Sequence, residues 1–175
     1  MILKYTLDGD LVASFGAPYI SDNSMAVESF SDEGFLACSE EYGVVGWIGL
    51  RVPVFTGFDE EGTELWKILF PEFDTIPVEE AVNEDGRPAL RYYYPAEEGQ
   101  SLFTRIFADK NGEFYVNYVV VQDEGPLLEH LFRVAPESGR GQYIGEVSRT
   151  LYAIDEEHMV YRMHADVPRV GISKR

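Results

Sequence analysis

The sequence predicts an all-β chain, and three observations carry the prediction. Short apolar runs rich in Tyr, Phe and Val recur along the whole length, and such residues pack well on a pleated surface. Short acidic turns closed by glycine join most of these runs, which is the mark of a hairpin. The same strand–turn–strand sentence also returns at a regular interval: ILKYTLDGDLVASF opens the chain, VFTGFDEEGTELWKILF repeats it, and residues 130–144, HLFRVAPESGRGQYI, repeat it more loosely.

In chain order, residues 1–16 read as an outer hairpin turning at Leu7-Asp8-Gly9-Asp10, followed by a loop marked by Pro18, Asp22, Asn23 and Ser24. Residues 25–70 read as one four-stranded meander. Two short strands are expected around Ser31-Asp32-Glu33-Gly34 in 25–37; a turn at Glu40-Glu41-Tyr42-Gly43 leads to a strand over 44–48 and then to the hairpin 54–70. Residues 71–100 carry Pro71, Pro77, Pro88 and Pro95 and read as an insertion, with PVEEAVNEDG as one or two helical turns. The meander resumes over 101–145, with turns at Asp109-Lys110-Asn111-Gly112 and Pro136-Glu137-Ser138-Gly139. A partial unit, 146–175, runs through TLYAIDEEHMVY and PRVGISK.

The spacing supports a repeat. Gly9 and Gly62 are 53 residues apart and Gly34 and Gly112 are 78 apart, and the excess matches the length of the insertion. The underlying unit of about 50 residues is the period of a four-stranded propeller blade. Two near-complete units and two halves make about three blades. Propellers close with four to eight, so two copies joined as a homodimer would complete a six-bladed ring, unless the chain is a piece of a longer propeller. A single closed barrel or a sandwich is the alternative architecture that short, evenly spaced strands allow.

These hairpins, together with the inner turns SDEGFLA and ADKNGEFYV, resemble the repeats of bacterial six-bladed β-propellers of the NHL and TolB-like type. The resemblance covers about 110 residues and implies a disc-shaped module that binds a ligand or partner on one face. The chain departs from other propeller families: it has no WD dipeptide, no kelch double glycine, and only a partial likeness to the sialidase-type box at DEEGTELW.

The 175 residues hold 31 acidic and 14 basic side chains, a net charge of −17. Such a field repels nucleic acid and anionic lipid, so neither is an expected partner; the acids read as a solvated, solubilising surface. No stretch reaches the ~18 apolar residues of a membrane helix. The start, Met1-Ile2-Leu3-Lys4, lacks a signal peptide's basic region and apolar core, so the expectation is a cytoplasmic chain or a piece cut from an exported parent. Cys38 is the lone cysteine; within FLACS it reads as a buried, inert thiol.

No catalytic signature is present. There is no Gly-x-Ser-x-Gly elbow, no Walker loop and no dinucleotide fingerprint, and no cofactor or metal is expected. Asp109-Lys110-Asn111-Gly112-Glu113 lacks the spacing of an EF-hand loop and reads as a tight turn. Of the three histidines, His130, His158 and His164, the last sits two residues from Asp166, on one face of a strand and near Glu156 and Glu157, the spacing of a weak metal or acid–base pair. Arg91-Tyr92-Tyr93-Tyr94 is the most unusual run, a cation beside aromatics, which is binding-surface chemistry as well as packing chemistry. Arg169, Lys174 and Arg175 form a small basic end suited to end-to-end association. The expected function is non-enzymatic binding or scaffolding for an unspecified protein or small-molecule ligand. The alternative is a hydrolase or lyase with an axial site completed by further blades.

Overall fold

The computed structural model describes residues 2–16, 25, 27, 30, 31, 33–70, 73–75, 78–92, 99–121, 128–147, 151–154, 157–163 and 169–174. The strands are β1 (Ile2–Tyr5), β2 (Leu11–Phe15), β3 (Gly34–Ser39), β4 (Val44–Gly49), β5 (Val54–Phe58), β6 (Glu64–Leu69), β7 (Asp74–Thr75), β8 (Val78–Val82), β9 (Pro88–Tyr92), β10 (Gln100–Ala108), β11 (Phe114–Val120), β12 (Leu128–Val134), β13 (Gly141–Val147), β14 (Leu151–Ile154), β15 (His158–Met163) and β16 (Arg169–Lys174). The chain is all-β, as expected.

Four of the hairpin turns are built alike. A residue with a side-chain oxygen at position 1 accepts from the backbone N–H of position 5, and a left-handed glycine occupies position 4. Asp59 Oδ1 takes Thr63 N at 2.7 Å, Asp109 Oδ1 takes Glu113 N at 3.0 Å, Asn83 Oδ1 takes Arg87 N at 2.8 Å, and Thr6 Oγ1 takes Asp10 N at 3.0 Å. The glycines, Gly62, Gly112, Gly86 and Gly9, have φ of 87°, 77°, 76° and 92°. A three-residue loop of this kind needs one left-handed residue, which glycine supplies without steric cost. Asp109 is thereby engaged as a turn cap.

The strands form separate open sheets: β3-β4-β5-β6, β13-β12-β11-β10-β7, β14-β15-β16, and the two-stranded β1-β2 and β8-β9. There is no closed barrel among the described residues. Within each of the three larger sheets the antiparallel strands follow chain order; β7 adds a short parallel strand beside β10.

Two expectations are corrected. Residues 25, 27, 30 and 31 are helical, so the first of the two strands expected in 25–37 is absent. Val27 and Phe30 lie three apart, one face of a helical turn, and Phe30 O lies over Gly49. The helical turns expected in PVEEAVNEDG are instead β8 and the start of its turn, because Asn83 and Gly86 make the same cap as the other hairpins.

The middle sheet is covered on both faces. Alternate residues of β11 point opposite ways. Phe114, Val116 and Tyr118 join Ile48, Phe55 and Phe70 in the larger core, shared with the β3–β6 sheet, while Tyr115 joins Phe107, Leu131 and Leu151 in a second core shared with β14–β16. The larger core is aromatic: Phe55 meets Phe114 edge-on at 5.4 Å and Phe70 meets Phe103 at 5.2 Å, geometries favoured by ring quadrupoles. The sheets also meet at both ends. β10 lies against β3 and against β14, and Phe103 N donates to Leu50 O at 3.1 Å. At the far end, Trp66 of β6 donates its indole N–H to Pro136 O at 2.6 Å and lies against Gly139 in the β12–β13 turn.

Candidate functional site

The β1–β2 hairpin lies on the outer face of the β3–β6 sheet. Phe15 sits 5.4 Å from the ring of Phe58 and against Gly62, and Lys4 Nζ donates to Glu60 O at 2.9 Å. These contacts fall on β5 and on the β5–β6 turn. Over the earlier strands, β3 and β4, the hairpin leaves a cleft of about 430 Å³, with Leu36, Cys38 and Val45 as floor and Ile2 and Phe15 as wall. Lys4, Glu40 and Glu60 stand at its rim. Cys38 is exposed here, not buried: Ala37 and Ser39 take the inward positions of β3, and alternation turns Cys38 outward. Desolvation against the cleft, aided by the charge of Glu40, holds its thiol above its ordinary value.

A second constellation lies between the middle sheet and β14–β16. Asn117 of β11 is fully buried and donates through Nδ2 to Glu129 Oε2 of β12 at 3.4 Å. Arg105 of β10 is the register partner of Asn117, and its guanidinium carbon lies 3.8 Å from the centre of the Tyr152 ring, a cation–π contact. Asn117 Oδ1 and Arg105 Nε are buried without a hydrogen-bond partner among the described residues. A buried polar atom left so costs about 1–3 kcal/mol, and such atoms gather where a structure serves something other than stability. Sequence reasoning missed this set. Its signal was present: Arg105 and Asn117 interrupt the apolar runs LFTRIF and FYVNYVVV.

A groove of about 330 Å³ lies nearby, between Leu131, Val147, Leu151, Met159 and Tyr161. A third opening of about 300 Å³ separates the β3–β4 turn from the β10–β11 turn, with Glu40, Glu41, Asp109 and Lys110 around it.

The residues singled out in the sequence are dispersed. Arg91 and Tyr92 lie on β9, opposite Glu79 and Val78 in the β8–β9 hairpin; Tyr93 and Tyr94 fall outside the described residues, as do His164 and Asp166. His130 is engaged in an aromatic ladder: its ring stacks on Tyr118 at 4.9 Å, and its Nδ1 is 3.0 Å from Tyr143 Oη. Desolvation, with the nearby charge of Glu146, raises the Tyr143 phenol above its ordinary value. Arg169 and Lys174 lie at the two ends of β16. No group of three metal-ligating side chains comes together among the described residues, and none of their helices is long and apolar enough to cross a membrane.

No family model matches the chain, and no curated protein or solved structure matches it either.

Proposed function

We infer that the chain is a non-enzymatic binding and scaffold module of the propeller type, whose sheets are blades and whose ring is closed by a second copy. One observation carries the reading: the three larger sheets stack face on face while β10 lies against both β3 and β14, each the first strand of its antiparallel run, with the short β7 beyond β10. Sheets that meet along first strands and run outward in chain order radiate from an axis, as blades do. The β14–β16 sheet exposes Val170 and Ile172 on one face, and the β3–β6 sheet leaves part of its outer face open at the cleft; open apolar faces are association surfaces. Loops at one end of the disc and the β8–β9 hairpin with Arg91 are the places for a protein or small-molecule ligand. Sedimentation equilibrium with small-angle scattering tests the reading: a particle near twice 19.8 kDa with the profile of a flat disc supports it. An elongated monomer at all concentrations overturns it.

The second reading, an enzyme with an axial site, is favoured by Arg105, Asn117 and Glu129 on and beside the central strand. A panel of chromogenic ester and glycoside substrates separates the two. Turnover by the wild type that is lost on Glu129→Gln would replace the binding reading with the catalytic one; no turnover leaves the binding reading standing.

A further inference from the structure

The hairpin that makes the cleft repeats a contact found elsewhere in the fold. Phe15, on β2, presses on Gly62 in the β5–β6 turn; Trp66, on β6, presses on Gly139 in the β12–β13 turn. Trp66 belongs to the last strand of a sheet stacked on the next sheet. By the same contact, β2 occupies the last-strand position of a sheet stacked on β3–β6, and β1 the position before it. The earlier positions of that sheet lie over β3 and β4, where the cleft opens.

At the opposite end of the stack, the described residues form a sheet of three early strands. β14, β15 and β16 run in chain order and end at the open edge of β16. One face of this sheet packs on the middle sheet through Leu151, Ile154 and Met159. The other presents Val170 and Ile172, 74% and 68% exposed, with Val160 across from Ile172. Lys174 shares that face by alternation. The apolar pair complements the cleft floor of Leu36 and Val45, and the ammonium of Lys174 complements Glu40 and Glu60 at its rim.

We propose that β16 of one copy hydrogen-bonds to β1 of a second copy, giving an intermolecular sheet β14-β15-β16-β1-β2 that seats Val170 and Ile172 in the partner's cleft. This rests on the ring reading above and specifies its seam. Pairing this edge also removes the exposed strand that would otherwise template aggregation. Two such seams, related by a two-fold axis, close the ring and leave no late-strand edge of the third sheet open.

Native Cys38 on the cleft floor provides the probe, since facing sheets lie roughly 10 Å apart and a short bismaleimide spans that gap. Ile172→Cys treated with the reagent is expected to give a covalent dimer, while wild type and the Cys38→Ser/Ile172→Cys double variant stay monomeric on a denaturing gel. Val170→Asp/Ile172→Asp is expected to weaken self-association at least tenfold with an unchanged circular dichroism spectrum, because both side chains are exposed in the single chain. A dimer by sedimentation that neither cross-links nor responds to the aspartates overturns this seam and keeps the ring reading. A wild type that is monomeric throughout overturns both.

Discussion

The middle sheet and the β1–β2 hairpin are built from the same local grammar and held by different means. Both are antiparallel strands joined by the same glycine-closed turn, with Asp109 capping one and Thr6 the other. β11 is buried on both faces along nearly its whole length, whereas of β1 only Ile2 is buried, and Leu3, Tyr5, Leu11 and Val12 of the hairpin are exposed. Turn chemistry therefore sets where strands form and reverse, while stability resides where a sheet finds neighbours on both sides. The hairpin is an element whose apolar area is only partly covered within its own chain.

The sharpest way to test this contrast is to remove one ring from each region. Phe114→Ala opens the aromatic core against Phe55 and Trp66 and is expected to cost about 3–5 kcal/mol in urea unfolding. Phe15→Ala, under the half-covered hairpin, is expected to cost less than half of that. Equal losses would break the comparison.

Glycine substitutions sharpen it next. Gly62→Ala forces a left-handed φ of 87° on alanine and sets its Cβ 2.5 Å from Phe15, so a loss of about 2 kcal/mol or more is expected from strain and crowding together. Gly9→Ala has a similar φ of 92° but open space around it, and about 1 kcal/mol is expected. Thermal denaturation of the two variants separates packing from backbone strain.

The turn caps give a smaller effect with a pH signature. Backbone N–H donors, Thr63 N foremost, hold the Asp59 carboxyl below its ordinary range. A carboxyl whose folded value is depressed stabilises the fold above its unfolded value of about 4 and loses that contribution as pH falls through the lower folded value. Asp59→Asn should therefore flatten the acid side of the stability–pH curve below about pH 4. An unchanged curve would show that the cap contributes nothing. Smallest of all, Leu7→Ser at a fully exposed turn position is expected to change stability by no more than about 0.5 kcal/mol.

The sequence was most legible where structure is local. The hairpin turns at Gly9, Gly62, Gly112 and Gly139 are all present: at the first three a capping side chain and a left-handed glycine act within five residues, and at Gly139 the left-handed glycine closes the turn with a backbone hydrogen bond to Ala135. Asn83 and Gly86 carry the same signal, obscured in the sequence by the glutamates beside them, which suit a helix. Residues 25, 27, 30 and 31 misled for the opposite reason: apolar residues at 25, 27 and 30 fit an extended run and a helical turn equally, and the structure has the helical turn. Cys38 shows how a one-residue phase error moves a side chain from core to surface, since Ala37 and Ser39 hold the inward positions. The polar set of Arg105, Asn117 and Glu129 came from three strands, and only pairing across the sheet brought it together. The outcome for Tyr93, Tyr94, His164 and Asp166 lies outside the described residues.

Native-state hydrogen exchange tests the two-sided middle sheet most directly. Amides of β11, shielded on both faces, are predicted to exchange slowest and only through global unfolding, with those of β1 and β2 exchanging faster through local opening. Exchange from β11 as fast as from β1–β2 would contradict the account.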